Sequence, residues 1–262
     1  MKDKVNIGMV TYNRLELTKK AIDSITMYTD YPYTLTVVDN NSTDGTQEYL
    51  KSLYRNTVHN LVLLDKNIGV AKASNIAWQM EDCDYYMKFD NDIVVITLNW
   101  LTKMVNVLKE IKQAGTVGCG LTVDTHHGTM PQVSKEIKTL FTKHAVTFPQ
   151  WNRVNGGLIL IPKRTHKKLG FWCENYGLYS EEDVDYALRV IRSNMFCLNM
   201  GDPIFAIHLQ QAVNYKEDSK YLKHKIECMQ TSILHKDYKE NHYISASITK
   251  DKFKDKIYKD GK

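Results

Sequence analysis

Val5-Asn6-Ile7-Gly8-Met9-Val10 runs without a break into the polar tetrad Thr11-Tyr12-Asn13-Arg14, and a helix-patterned segment over residues 15–27 follows. The apolar run reads as a buried strand, and the order strand, polar turn, helix is then repeated. Residues 34–39 form a second strand that ends on Asp39, followed by a helix over 45–53; residues 60–64 form a third strand, followed by a helix over 70–80. A fourth strand spans 84–89 and ends on Asp90-Asn91-Asp92. Strands separated by short amphipathic helices predict a doubly covered, mostly parallel sheet of the Rossmann-like α/β class.

The second half is less regular. Leu98, Leu101, Val105, Leu108 and Ile111 share one helical face. A strand over 116–121 follows, and then a polar stretch over 122–150 with a short helix expected near 136–142. A strand over 154–161 leads into Pro162, which suits the first turn of a helix ending at Leu169. A helix over 182–193 and strands over 195–199 and 204–208 come next. Leu222, Ile226, Met229 and Ile233 mark one face of a late helix. The expected domains are a catalytic unit over 1–214, in two parts that meet at residue 121, and a helical, lysine-rich appendage over 215–262.

With 262 residues, 43% hydrophobic and 25% charged, the chain can bury a large core without staples. Its five cysteines are scattered, with no C-x-x-C pair, so reduced thiols and a cytoplasmic location are expected. No run approaches the length of a membrane span, which predicts no stable membrane insertion. The net charge of +5 tolerates an anionic partner. The lysine-rich tail over 250–262 reads as solvated chain more than as a surface-binding helix.

Ligands of open α/β sheets bind beyond the carboxyl ends of the strands, where the polar residues of this chain collect. Residues 39–45, taken alone, suit a turn and a helix cap. Asp90 and Asp92 offer hard oxygen ligands of the kind Mg²⁺ or Mn²⁺ take, although for the triplet taken alone an ordinary Asx-rich turn is the better account. Glu181-Glu182-Asp183-Val184-Asp185 opens a helix, where one or two acids serve the dipole. The cluster holds four, and one of them has the makings of a general base. Asp185 and Arg189, four residues apart, suit a structural ion pair. Gly156-Gly157 suits either a close approach of the backbone to a ligand or a strand irregularity.

Taken together, Val10-Thr11-Tyr12-Asn13-Arg14, the block Val37 through Thr46, Asn67-Ile68-Gly69-Val70-Ala71-Lys72-Ala73-Ser74-Asn75, and Asp90-Asn91-Asp92 with the later Glu182-Asp183-Val184-Asp185 and Arg189 resemble a family 2 glycosyltransferase of the GT-A fold. The resemblance covers Val5 to about His208. It implies an inverting, metal-dependent enzyme that moves one sugar from a nucleotide diphosphate sugar, UDP-linked by expectation, to a hydroxyl of a glycan, protein, lipid-linked sugar or modified nucleic acid. It places Thr11, Tyr12 and Asp39 at the base and ribose, and Lys72 near base or phosphate. Asp90 falls at the ribose or metal, Asp92 on Mn²⁺ or Mg²⁺, and Gly157 at the donor sugar. It makes Asp183 the catalytic base and gives Glu182 a positioning role beside it. His208 is implied as a further metal or diphosphate contact, against the competing reading of a hydrogen-bonded strand histidine.

Two departures stand out: Lys72-Ala73-Ser74-Asn75 replaces the Ala-Arg-Asn of many relatives, and no Gln-x-x-Arg-Trp is present, which favours single addition over processive synthesis. Trp151, Trp172, Tyr176 and Tyr179 flank the acceptor side and are expected in the core before they are expected on sugar rings. A nucleotidyltransferase would carry a glycine-rich loop after the first strand, and a dehydrogenase a G-x-G-x-x-G; neither is present. A non-catalytic nucleotide- or glycan-binding protein on the same fold is the remaining alternative.

Overall fold

Strand β1 (Val5–Thr11) lies at the centre of a parallel half-sheet, paired in register with β2 (Tyr33–Asp39) on one side and β4 (Tyr85–Phe89) on the other. The computed structural model describes residues 3–119, 132–148, 156–179, 181–201, 206–209 and 243–259. The remaining strands are β3 (Asn60–Leu63), β5 (Ile93–Val95), β6 (Ala114–Cys119), β7 (Val146–Thr147), β8 (Leu158–Pro162), β9 (Phe196–Met200) and β10 (Ala206–His208). Eight of them form one sheet in the order β3-β2-β1-β4-β8-β6-β9-β7, and β5 pairs with β10 in a separate antiparallel ribbon. β8 runs antiparallel to both neighbours. Its first residue therefore lies beside the last residue of β4, with Leu158 opposite Phe89.

Side chains alternate along these strands and build two cores. Val5, Ile7 and Met9 of β1 and Tyr85, Met87 and Phe89 of β4 face α1 (Leu15–Tyr28), α2 (Thr46–Leu53) and α4 (Trp100–Glu110). On the opposite face Val38 packs with α3 (Val70–Gln79), and Tyr86, Ile159 and Ile161 pack with residues of α3 and α7 (Glu182–Arg192). Lys88 belongs by parity to this second face. Helix α5 (Lys135–His144) lies within the polar stretch, capped by Ser134, and α6 (Lys163–Leu169) follows Pro162.

Arg189 is fully buried and ion-paired with Asp185 at 2.8 Å. It also donates to the carbonyls of Leu169 and Phe171, the structural pairing expected from its spacing. Trp172 and Tyr176 are core residues. Trp151 and the expected helix with Leu222, Ile226, Met229 and Ile233 lie outside the described residues.

Instead of remaining solvated, the tail packs on the body. Ile244 exchanges backbone bonds with Leu169 and Phe171, and Gln79 donates to the Ile248 carbonyl. Phe253, in the short helix α8 (Lys250–Phe253), is buried beside α3, and Ile257 bridges to Val62 of β3. The outer edge of the sheet is thereby covered, which blunts an otherwise open row of hydrogen-bonding groups. Among the described residues, no helix is long and apolar enough to cross a membrane.

Candidate active site

The carboxyl ends of β1, β2 and β4 share one edge of the sheet, and the start of β8 reaches the same edge because that strand runs the other way. Chain direction thus gathers Thr11, Asp39, 90–92 and the 156–157 turn.

Asp39 is fully buried, and each of its oxygens accepts two hydrogen bonds. The Ser42 amide and the Gln47 side-chain amide, both at 2.8 Å, donate to Oδ1. The hydroxyls of Thr11 and Ser42 donate to Oδ2. The turn around it is fixed by Asn13 and Arg14, consecutive non-glycine residues at φ 56° and 65°, a conformation that persists only where its surroundings hold it. The Ser42 hydroxyl accepts from the Asn13 amide, and the Asn13 side chain accepts from the Thr43 amide. Asp44 accepts from the Leu15 amide at the start of α1. Residues 39–45 are therefore the turn and cap their composition suggests, with Asp39 at the centre. Tyr12 is exposed beside this turn, and Lys72 lies, half-buried, in the first turn of α3.

At the end of β4 the contacts are sparser. Asp92 is 4% exposed. Its Oδ2 accepts from Arg14 at 3.2 Å, while Oδ1 is buried without a partner. The His208 Nε2 stands 3.7 Å from that oxygen, and His208 Nδ1 is likewise buried without a partner. Desolvation, and then the charge of Asp90, push the Asp92 carboxyl above the usual carboxylate range despite His208 and Arg14. The ribbon of β5 and β10 produces this meeting, since Ile93 pairs with His208.

Asp90, Asp92 and His208 do not converge equally. Among the described residues no three His, Cys, Asp or Glu side chains are gathered as a metal cage, and Asp90 is held by Lys88 at 2.6 Å. Asp92 with His208 nevertheless fits a divalent ion. The Asp92 Oδ1 is desolvated and unsatisfied, with the His208 Nε2 3.7 Å away, and Mg²⁺-type sites commonly take one or two protein ligands plus substrate phosphates.

The third group is Asp183 with its seat. Asp183 is half-buried, and its Oδ1 accepts from the Val184 amide. A Cβ placed on Gly156 would come within 2.6 Å of Asp183 Oδ2, so the two residues are packed face to face and only glycine fits. The turn is tied to β4 by the Asp90 amide, which donates to the Gly157 carbonyl at 2.8 Å. Lys88 donates to the Gly156 carbonyl at 2.8 Å. Burial works against the charge on Lys88, but Asp90, Glu182 and Asp183 outweigh it and hold its pKa above the ordinary lysine value. Glu182, 5% exposed, is pushed up to about 7 chiefly by burial, with Lys88 opposing. Lys88 is the site residue that the sequence reading passed over. The available clue was a lysine inside the apolar strand Tyr85-Tyr86-Met87-Lys88-Phe89, where a charge implies a buried partner.

A half-parallel sheet with strand-end acids on one half and an acidic helix start on the other is the GT-A arrangement of nucleotide-sugar transferases. The glycosyl transferase family 2 model matches residues 6–170, and the chain belongs to that family. It is a glycosyltransferase in class. No curated protein is significantly similar to it in sequence. Solved structures share the fold. A mannosyltransferase, PcManGT from Pyrobaculum calidifontis, in complex with GDP-Man and Mn²⁺, is 18% identical with a TM-score of 0.60, over 87% of this chain and 69% of that one. GalNAc-T7 with UDP, GalNAc and Mn²⁺ is 14% identical with a TM-score of 0.64, over 79% of this chain and 43% of that one. TarS from S. aureus in complex with UDP-GlcNAc is 17% identical with a TM-score of 0.57, over 78% of this chain and 58% of that one. The last two are thus much longer than the part this chain spans.

Proposed function

We propose that the protein is an inverting, metal-dependent glycosyltransferase that moves one sugar from a UDP-linked donor to an acceptor hydroxyl. The observation that carries this reading is the seating of Asp183 on Gly156, one short turn away from the strand-end acids Asp90 and Asp92. Asp39 would receive a base N–H as the Gln47 amide gives way, and Tyr12 offers an exposed ring beside it. Lys72 is available to base or phosphate. Asp90 keeps one oxygen for the ribose, and Asp92 with His208 would hold Mn²⁺ or Mg²⁺. When bound, such an ion supplies Lewis-acid stabilisation of the leaving diphosphate.

Asp183 would take the proton of the acceptor hydroxyl as its oxygen attacks the anomeric carbon, a single displacement that would invert the configuration. Glu182, buried and holding its proton close to neutrality, is a poor anionic nucleophile and suits positioning. The acceptor-binding half would be formed from residues 122–214 and the tail from 215–262, as the sequence division suggests. A cytoplasmic setting belongs to this reading on the ground of scattered free thiols, Cys83, Cys119, Cys173 and Cys197 among the described residues.

The test is nucleotide release from a panel of UDP- and GDP-sugars with Mn²⁺. Asp183→Asn is expected to lower kcat roughly 10³-fold, the range of general-base contributions, while the Kd for Mn²⁺–UDP stays within about threefold. A loss of nucleotide affinity as large as that of Asp92→Ala would remove Asp183 from the base role. Release from no donor would leave a non-catalytic binder.

A further inference from the structure

We propose that Lys88 is a positioning residue of the transfer reaction: its buried ammonium ties the Gly156 carbonyl to Asp90 and thereby sets Asp183 at its working distance from the donor-side acids. The inference rests on the transferase reading above.

The side chain of Lys88 is 6% exposed, on a strand whose other residues are all buried and uncharged. Placing an ammonium there is costly, and the cost is offset only where good hydrogen bonds replace water. Two are present: Asp90 Oδ1 at 2.6 Å and the Gly156 carbonyl at 2.8 Å.

Neither partner is incidental. Asp90 leads the acid triplet, and Gly156 is the residue against which Asp183 is packed. The second tie, from the Asp90 amide to the Gly157 carbonyl, closes a small ring of contacts in which the Lys88 side chain joins Asp90 to the Gly156 turn. Its amine holds the turn by the carbonyl and leaves the bare Cα of Gly156 as the seat for Asp183. Lys88 also supplies positive charge facing Glu182 and Asp183, so that three carboxylates can share one edge. An apolar residue of equal length could fill the same space, although it would leave Asp90 and the buried Glu182 without their cation and so cost stability. What an apolar residue cannot do is fix the turn, and small misplacements of a reacting group are enough to cost large factors in rate.

The experiment compares Lys88→Met, Gly156→Ala and the double variant with wild type, and with Asp92→Ala as reference, in the full chain. Melting curves report folding, Mn²⁺–UDP titration reports nucleotide binding, and Mn²⁺-supported nucleotide release from the best donor of the panel reports kcat and KM. Lys88→Met is expected to fold with a lowered melting temperature and to keep its Mn²⁺–UDP Kd and donor KM within about threefold, yet to lose at least about tenfold in kcat. Gly156→Ala, which displaces Asp183 directly, should lose a similar factor. The double variant should be no more than about twofold slower than the worse single one, because both act through the same displacement.

Wild-type kcat in Lys88→Met, or losses that multiply in the double variant, would overturn the assignment. Should Lys88→Met fail to fold, Lys88→Gln is read in the same way. If wild type releases nucleotide and Asp92→Ala does not, a fully active Lys88→Met sinks only the role of Lys88. If wild type neither binds Mn²⁺–UDP nor releases nucleotide, the transferase reading falls and this inference falls with it.

Discussion

The ends of β2 and β4 each carry a buried aspartate at the same sheet edge, and the two are held in opposite ways. Asp39 accepts four hydrogen bonds from Thr11, Ser42 and Gln47. Asp92 accepts from Arg14 through one oxygen, and its other oxygen is buried without a hydrogen bond, 3.7 Å from His208. A saturated carboxylate organises its own loop, whereas an unsatisfied one stores electrostatic demand for a ligand. The β2 end is thus built in the unliganded chain, and on the proposed function the β4 end would be completed by binding.

The contrast breaks first at Asp39. Asp39→Ala leaves three side chains and a backbone amide without their acceptor, and is expected to cost about 3 kcal/mol of stability, read as a lowered urea midpoint. An unchanged midpoint would mean that the loop does not depend on the carboxylate. Asp92→Ala should do the reverse. Mn²⁺-dependent UDP affinity should fall at least about 100-fold, the upper range seen even for residues behind metal ligands. The metal-free protein should melt no lower than wild type, because a desolvated charge has been removed; a large drop in melting temperature would contradict the division.

Glu182 offers a pH test. Its folded-state pKa of about 7 lies above the ordinary glutamate value of 4.5, so the folded chain binds the extra proton and stability falls as pH rises between the two values. Relative to Glu182→Gln, metal-free wild type should lose about 2 kcal/mol between pH 5 and pH 8. Parallel pH profiles for the two proteins would show that burial does not perturb this group. The smallest effect is expected for Gln47→Leu, which removes one of the four donors to Asp39. UDP affinity should stay within about threefold or tighten as Oδ1 is freed, and a tenfold weakening would show that Gln47 itself contacts the base.

The parallel half of the fold was legible because its strands and helices alternate in sequence, and each period is set by local patterning. Residues 93–95 were not read as a strand, since three apolar residues after an acidic turn carry no period of their own. Their ribbon with β10 is a long-range pairing, and it is what brings His208 to Asp92. The reversal of β8 was equally invisible, although it places Gly156 and Gly157 beside Asp90. Strand-end acids could be named from the chain because they follow apolar runs directly. The partners that decide their behaviour, Gln47 and Ser42 for Asp39 and Lys88 for Asp90, are ordinary residues by type, and only parity along β4 marks Lys88 as unusual.

The clasp of residues 243–259 over β3 has a consequence for solution behaviour. Four strands run parallel toward that border, and with Phe253 and Ile257 in place the last of them has Ile257 and Tyr258 beside it. Prised away, the same segment would bare a β-strand rich in leucine and valine, ready to recruit a second molecule along its flank. The final turns of this chain thus guard its solubility, a service that measurements of sugar transfer alone would never register.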